Sequence, residues 1–435
     1  MAQESGRHGR NPERQGRPSW WLVAMAAVVA VALAAGCAWW AVALQRRHTG
    51  ATGSASVTTP AAEPSRDTDG TSPSPTDTPS SHSPAADDDA TARAKAAVEA
   101  MTLEDRAAQL VMAPLSYGTD PSALSSLIQD ERIGSVILMG NWDNGVDGVR
   151  SQVNLLQSYA QDRGDTLLVA TDQEGGLVQH LQGAGFDTMP SARDQGTMTL
   201  TQLRDDAAQW GAQLRQAGVD VDLAPSVDTV VIDRASNEPI GALDRDFGLD
   251  AEGNARHAVA FIEGMRASGV GSAVKHYPGL GAVAGNTDFT DTGIVDDTTG
   301  EDSDELAAFS RAIREGSPAM VMMSLATYAQ LDPQVPAAFS HAIVTDLLRE
   351  RTGYRGVVIS DSLSASAVAG YDPSQLGVML IEAGGDLACV NDPSYTMPIL
   401  DGIRAKAAAD GDFAAKVTAS AVRIMALKMQ LEAAD

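Results

Sequence analysis

Cysteine is nearly absent from this chain, which has only Cys37 and Cys389 among 435 residues. A disulfide framework is therefore excluded, and the folded part must be stabilised by a hydrophobic core. Histidine is scarce as well, and none of the seven histidines is paired at the spacing of a metal site. No glycine fingerprint of a dinucleotide-binding turn follows the first apolar run. We therefore expect neither a metal nor another cofactor.

Basic residues are few, because 31 Lys and Arg stand against 57 Asp and Glu and the net charge is −26. Such an acidic chain repels polyanions, so nucleic acid is not expected as a partner, and anionic membrane surfaces are disfavoured for the same reason. Composition leaves the oligomeric state open, with a monomer favoured.

Long apolar runs are missing except in residues 20–44, which are uncharged and apolar. This run is long enough to span a bilayer. It follows a basic tail, residues 1–19, and four arginines precede it while two come after it. The positive-inside rule then puts the tail in the cytoplasm and the rest of the chain outside the cell, on a cell-membrane anchor. A lipoprotein signal with lipidation of Cys37, or a plain cleaved signal peptide, is the alternative.

Large apolar residues are almost missing from residues 45–90, which are rich in Ser, Thr, Pro, Ala and Asp. Such a segment cannot bury enough surface to fold, so we predict a disordered linker. From Thr91 onward apolar periodicity begins, and no second linker interrupts it. Residues 91–435 are therefore predicted to form one globular domain.

Short apolar runs alternate with amphipathic helical patterns throughout this domain. Eight runs have the length of buried strands: Gln109–Pro114, Gly134–Met139, Thr166–Thr171, Val219–Ala224, Val270–Val274, Ala319–Ser324, Gly356–Ser360 and Asp386–Val390. Helical patterns between them include Leu203–Ala217, Asn254–Ser268, Glu305–Glu315, Ala342–Arg351 and Gln375–Ala383. This alternation predicts an α/β fold with a parallel sheet closed as a (β/α)8 TIM-type barrel. A doubly wound open sheet is the alternative.

Polar residues cluster where the predicted strands end. The fifth run ends in Lys275 and His276, and a Pro/Gly turn follows. Acidic residues follow three other runs, at Asp172, Asp228 and Asp361. Because the carboxyl ends of barrel strands meet at one rim, where barrel enzymes have their active sites, we expect these side chains to lie together. A Lys275 that faces Asp172 and Asp361 would keep both carboxylates ionised.

Five motifs in this region carry a family resemblance. They are Asp172-Gln-Glu-Gly-Gly176, Leu223-Ala-Pro-Ser-Val-Asp228, Ile240-Gly241 followed by Arg245-Asp-Phe-Gly248, Lys275-His-Tyr-Pro-Gly279 and Gly356-Val-Val-Ile-Ser-Asp361. Together they resemble glycoside hydrolase family 3, in the single-domain form of bacterial β-N-acetylglucosaminidases. The similarity covers Thr91 to Leu427.

The resemblance implies a retaining β-glycosidase, in which one carboxylate attacks the anomeric carbon and a second group protonates the leaving oxygen. Asp361 matches the catalytic nucleophile of the family. Asp172, Arg245, Lys275 and His276 match positions that hydrogen-bond the sugar hydroxyls. Such charged hydrogen bonds strengthen as positive charge develops on the sugar ring.

The chain departs from the family at the acid/base. Leu280 stands where the family has a loop histidine, and Asn286 and Asp288 replace its Asp/His dyad. Leu177 and Leu325 replace an arginine and a further histidine. Three hypotheses follow: Asp288 is itself the acid/base, Asp291 takes the role, or the site is catalytically weakened. The stretch from Asn286 to Asp288 is also typical of a turn stabilised by the Asn side chain.

Two classes of function remain. The first is an exo-acting retaining β-glycosidase that forms a covalent glycosyl-enzyme on Asp361. We expect foremost a β-N-acetylhexosaminidase that acts on cell-wall-derived sugars such as peptidoglycan fragments. A β-glucosidase is the alternative within this class. The second is a wall-anchored, glycan-binding barrel that has lost most of its activity. In both, the partner is a carbohydrate.

Overall fold

Eight strands form one parallel sheet in the computed structural model of the chain, which describes residues 84–161, 165–291 and 293–433. We number them β1 Val111–Ser116, β2 Ser135–Met139, β3 Leu168–Thr171, β4 Val221–Asp222, β5 Gly271–Tyr277, β6 Met320–Met323, β7 Val357–Ser360 and β8 Ala388–Cys389. Each lies within or overlaps a run predicted from the sequence. The short strand pairs Gln173–Gly175 with Val178–Gln179 and Val295–Asp296 with Thr327–Tyr328 lie outside this sheet.

The sheet closes on itself. Neighbouring strands pair in the order β7-β6-β5-β4-β3-β2-β1-β8, and every pairing is parallel. A parallel bridge between Ile359 and Leu387 joins the two edges of this order. The TIM-type barrel is therefore confirmed, and the open-sheet alternative is wrong.

Two helices precede β1, and the others follow the strands. They are α1 Pro84–Glu99, α2 Leu103–Ala108, α3 Ser125–Gln129, α4 Gly145–Gln161, α5 Ala192–Gln195, α6 Leu200–Ala217, α7 Ala251–Ala267, α8 Asp304–Arg311, α9 Pro373–Ala383, α10 Thr396–Ala409 and α11 Gly411–Glu432. Two π-helices, Ala312–Gly316 and Ala342–Arg351, and short 3-10 turns complete the fold; these turns are Pro121–Leu124, Gly241–Leu243, Ala337–Phe339, Ser366–Val368 and Pro393–Tyr395. Local chemistry fixes their ends: Thr199 caps α6 by accepting from Gln202 N, and Gly218, at φ 86°, ends it.

The amino ends of the strands are closed by cations from α11. Lys428 Nζ donates to Gln109 Oε1 and to the Thr166 carbonyl, both at 2.9 Å. Asp386, fully buried just before β8, pairs with Arg423 at 2.8 Å and with Arg349 at 2.6 Å. Because Asp386 is paired with two cations and Lys428 is held by two hydrogen bonds, this end of the barrel is a fixed base. The opposite rim is left to carry the functional loops.

Two boundaries differ from those predicted. Strand β5 continues to Tyr277, because Val227 N donates to the Lys275 carbonyl at 2.8 Å and Ser324 N to the Tyr277 carbonyl at 2.9 Å. Helix α1 begins at Pro84, inside the segment predicted as linker.

The predicted tail 1–19, the membrane segment 20–44 with Cys37, and the linker up to residue 83 lie outside the described residues. Among the helices that the structure does describe, none combines the length and apolar character needed to cross a membrane.

Candidate active site at the carboxyl ends of the strands

Lys275 is the centre of a cluster of charges at the end of β5. Its Nζ lies 2.5 Å from Asp172 Oδ1 and 2.6 Å from Glu174 Oε1. Burial alone would lower the pKa of the Lys275 ammonium, but the two carboxylates raise it above its usual range. The ion pair with Asp172 confirms half of the expected contact. The other partner is Glu174, which the sequence analysis did not single out, and not Asp361.

Glu174 also holds Arg245 by a bidentate contact. Arg245 Nη2 lies 2.7 Å from Glu174 Oε1, and Nε lies 3.0 Å from Oε2. Burial would raise the pKa of the Glu174 carboxyl, but Arg245 and Lys275 lower it well below its ordinary value. The glutamate is therefore a permanent anion that sets the positions of two cations. The guanidinium keeps an exposed edge, since 16% of its side chain is accessible against 2% of Glu174.

His276 is oriented by a second buried acid. Its Nδ1 lies 2.7 Å from Asp228 Oδ2, and its Nε2 lies 3.5 Å from Arg245 Nη2. Burial would raise the pKa of Asp228, but the His276 ring and the backbone N–H groups of Leu280 and His276 lower it. With Nδ1–H donating to the carboxylate, the other ring nitrogen faces the arginine.

Asp222 lies beneath this cluster, at the end of β4. Its Oδ1 accepts from Gln173 N at 2.9 Å, and its Oδ2 is buried without a hydrogen-bond partner among the described residues. Burial, the largest cause, raises the pKa of this carboxyl well above its usual range, although the N–H of Gln173 and the charge of Lys275 oppose the shift.

Asp288 and Asp361 lie on two loops that are joined by backbone hydrogen bonds. Ser366 N donates to the Asp288 carbonyl at 3.3 Å, and Ala367 N donates to the Thr287 carbonyl at 2.9 Å. Asp361 follows β7 directly, and its own N–H is fixed to the Met323 carbonyl at 2.9 Å. The loops after β5 and β7 are thereby brought together at the rim.

Asp288 has a raised pKa of about 6. The first cause is partial desolvation of its carboxyl, which is limited because the residue is exposed, and the second is the charge of Asp361; Arg245 and His276 oppose the shift. Two carboxyl groups at one rim, where the charge of Asp361 raises the pKa of Asp288, can supply a nucleophile and an acid.

The turn that contains Asp288 is stabilised by Asn286, as the local sequence indicates. Asn286 Oδ1 accepts from Asp288 N at 2.9 Å. This contact uses the backbone of Asp288 and not its carboxyl, so the turn is compatible with a chemical role. Leu280 and Leu325, at two positions where the family has histidine, are each 1% exposed. Asp291, the other acid considered, is exposed.

The structure therefore brings together four of the predicted residues, namely Asp172, Arg245, Lys275 and His276, and it relates Asp288 to Asp361 through their charges. Asp228 was expected at this rim but was given no role, and Glu174 was named only as part of a motif. A signal existed, because both are acids within the strand-end motifs. No grouping of His, Cys, Asp and Glu suited to hold a metal ion occurs within residues 84–161, 165–291 and 293–433.

Comparison with known proteins gives one consistent result. The model of the "Glycosyl hydrolase family 3 N terminal domain" matches residues 102–427. The beta-hexosaminidase LpqI of Mycobacterium tuberculosis is 30% identical over 335 residues, which are 74% of this chain and 82% of that protein. An uncharacterized secreted glycosyl hydrolase of Arthroderma benhamiae is 31% identical over 309 residues, 68% of this chain and 84% of the relative.

Solved structures agree with the sequence relatives. The crystal structure of a beta-N-acetylhexosaminidase from Beutenbergia cavernae superposes with a TM-score of 0.73 at 44% sequence identity. The match covers 75% of this chain and 98% of that protein. The likeness therefore includes the barrel and the rim on which the charged cluster lies.

Proposed function

Because the chain belongs to glycosyl hydrolase family 3 and is therefore a glycoside hydrolase acting on O-glycosyl bonds, we propose that it is an exo-acting, retaining β-N-acetylhexosaminidase for cell-wall-derived sugars. The hexosaminidase names of the relatives from Mycobacterium tuberculosis and Beutenbergia cavernae support the choice of sugar. The observation that carries the chemistry is the pair of Asp288 and Asp361 at one rim, with a raised pKa on Asp288.

In this mechanism Asp361 attacks the anomeric carbon, and the glycosidic C–O bond breaks as the ester to the enzyme forms. Asp288, protonated below its pKa of about 6, gives its proton to the leaving oxygen. Water then attacks the ester while the Asp288 carboxylate takes up a proton, which releases the sugar with retained configuration.

Asp172 and Arg245 are the sugar-binding side chains that reach the cleft, each with 16% of the side chain accessible. Lys275, 1% exposed, has two of its three N–H groups engaged by Asp172 and Glu174, which leaves one for a hydroxyl. His276 offers its Nε2 edge. Since these groups are held by ion pairs before the sugar arrives, they stabilise developing charge with little reorganisation.

The substrate is tested with a panel of chromogenic β-glycosides and the purified full-length protein. We expect kcat/KM for the N-acetyl-β-glucosaminide to exceed that for the β-glucoside at least about tenfold, because a site that binds the acetamido group loses that contact with glucose. The reverse order would make the protein a β-glucosidase. Binding of the sugars without release of chromophore from any substrate would instead identify a glycan-binding barrel.

We also propose that residues 20–44 anchor the enzyme, with the barrel outside the cell. The uncharged apolar run and the arginine bias around it support this arrangement, and the relative from Arthroderma benhamiae is described as secreted. Protease added to intact cells should then release a fragment that contains the barrel. Protection of the barrel until the cells are lysed would contradict the orientation, and loss of membrane attachment in Cys37→Ala would favour the lipid anchor.

A further inference from the structure

A cavity of about 570 Å³ lies at the amino ends of the strands, on the face opposite the charged cluster. Its walls include Gly271 and Ser272 at the start of β5, Val357 at the start of β7, and the C-terminal part of α11 from Val422 to Leu431. A volume of this size is within the range of about 300–1,000 Å³ typical of small-molecule sites. The proposed mechanism makes no use of it.

Arginine dominates the charge of this cavity. Arg266, Arg314, Arg355 and Arg423 line it, and no Asp or Glu is among the described residues of its wall. This is unexpected in a chain with 57 acidic and 31 basic residues, because an excess of carboxylates should provide each guanidinium with a partner. The local charge is therefore opposite in sign to that of the whole protein.

Three of the four guanidiniums lack a carboxylate. Arg423 is paired with Asp386 at 2.8 Å. Arg266 donates to the Gly316 carbonyl at 2.6 Å, whereas Arg314 and Arg355 form neither an ion pair nor a hydrogen bond with any described residue. Both of these are exposed residues, so they lie where the cavity meets solvent.

A second observation also points to a ligand. Ser272 lines the cavity, is 2% exposed, and its Oγ has no hydrogen-bond partner among the described residues. A buried hydroxyl without a partner is costly, and an oxygen atom in the cavity would satisfy it. Apolar side chains complete the wall, including those of Ile262, Ile313 and Leu427. The cavity thus combines an anion-binding side with an apolar side.

We propose that this cavity is a binding site for a small organic oxyanion, a phosphate or a carboxylate with an apolar or sugar body. Arg314, Arg355 and Arg266 bind the anionic group, since guanidinium forks match phosphate and carboxylate oxygens, and Ser272 donates to one ligand oxygen. The body packs against the apolar wall. This inference is independent of the proposed glycosidase activity, because it concerns the opposite face of the barrel.

The test is anion-dependent thermal stability of the full-length protein at constant ionic strength, with chloride as the replaced ion. Inorganic phosphate is one arm and succinate is the other, and the arm with the stronger effect identifies the anionic group. We expect the melting temperature to rise with the logarithm of anion concentration above the dissociation constant, because a ligand that binds only the folded state stabilises it by mass action. In Arg314→Gln/Arg355→Gln the apparent affinity should fall at least about tenfold, since two charge-assisted contacts are lost.

The matched control is Arg204→Gln/Arg256→Gln, which removes two exposed arginines from α6 and α7 and should keep the wild-type response. Phenylglyoxal labelling gives a second readout: the anion should protect the peptides that contain Arg314 and Arg355. A melting temperature that neither anion raises above its value in chloride overturns the proposal. So does an unchanged response of Arg314→Gln/Arg355→Gln, because the anion would then bind elsewhere, for example at Arg245.

Discussion

Asp361→Asn should reduce kcat for every substrate by at least about 10³-fold, equivalent to ~4 kcal/mol of transition-state stabilisation, while leaving the fold intact. The amide is nearly isosteric with the carboxylate but is a poor nucleophile. It can keep the hydrogen bond that the Asp361 side chain accepts in the structure, from Ser362 N to Oδ1 at 2.8 Å. The measurement is steady-state turnover of a chromogenic N-acetyl-β-glucosaminide together with the melting temperature.

Asp302→Asn is the control for this variant, because Asp302 is an exposed acid in a surface turn. It should have wild-type turnover. A mechanism-based fluorosugar should in addition label a peptide that contains Asp361 in the wild-type enzyme, since the ester to this residue accumulates when its hydrolysis is slow. Label on a different carboxylate, or turnover of Asp361→Asn within about tenfold of wild type, would refute the assignment of the nucleophile.

The barrel could be predicted because its signal is local. Each strand is a short apolar run with a helical pattern after it, and the sequence alone marks where the run turns polar. Lys275 and His276 were expected at the rim for this reason, and the structure has them there. The end of β5 was less predictable, since the strand reaches Tyr277 only through backbone pairing with the residues after β4 and β6.

The partners of the cluster could not be derived in the same way. Lys275 meets Asp172 and Glu174 across more than 100 positions of sequence, and spacing along the chain contains no information on which of several rim acids is nearest. The expected contact between Lys275 and Asp361 was wrong: the ion pairs of Lys275 with described residues are those to Asp172 and to Glu174, two residues further along the chain. Asp222 was missed for another reason: it lies within an apolar run, and its raised pKa follows from burial that only the fold reveals.

The arginine-lined cavity was outside the reach of sequence reasoning as well. Arg266, Arg314, Arg355 and Arg423 belong to four separate segments that converge only when the barrel closes and α11 covers its base. The net charge of −26 predicts that the chain repels anions, which is the opposite of what this cavity indicates. A global charge therefore says little about a cavity whose own wall has no carboxylate.

Asp288→Ala should lower kcat/KM most for substrates whose leaving group must be protonated. For N-acetylglucosaminides with poor leaving groups we expect kcat/KM to fall by about 10²–10⁴-fold, the usual contribution of a general acid. Activated aryl glycosides should lose less than about tenfold in the glycosylation step, because their leaving group departs as a stable anion. The measurement is kcat/KM across a series of leaving groups, and its dependence on leaving-group pKa should become steeper in the variant.

The pH dependence of kcat/KM tests the same role of Asp288 as a proton donor. Burial and the charge of Asp361 raise the pKa of Asp288 to about 6, so the carboxyl is protonated and able to donate below that pH. For substrates with poor leaving groups, kcat/KM should therefore fall as the pH rises through about 6, and this alkaline limb should be lost in Asp288→Ala. Stability changes in the same direction: because the folded state disfavours the ionised form, stability falls as the pH rises from the ordinary pKa of 3.8 to about 6 and stays reduced above it.

Rescue of activity by azide distinguishes an acid/base role of Asp288 from a structural one. Removal of the Asp288 carboxylate slows attack of water on the glycosyl-enzyme, but a small anionic nucleophile needs no base and no longer meets a negative charge at that position. Added azide should raise kcat of Asp288→Ala on aryl glycosides and yield the β-glycosyl azide, while wild type and Asp291→Ala should be unaffected. If Asp288→Ala keeps wild-type kcat/KM on poor leaving groups and Asp291→Ala loses it, the proton comes from Asp291. The turn built by Asn286 then has only the structural role of joining the loops after β5 and β7.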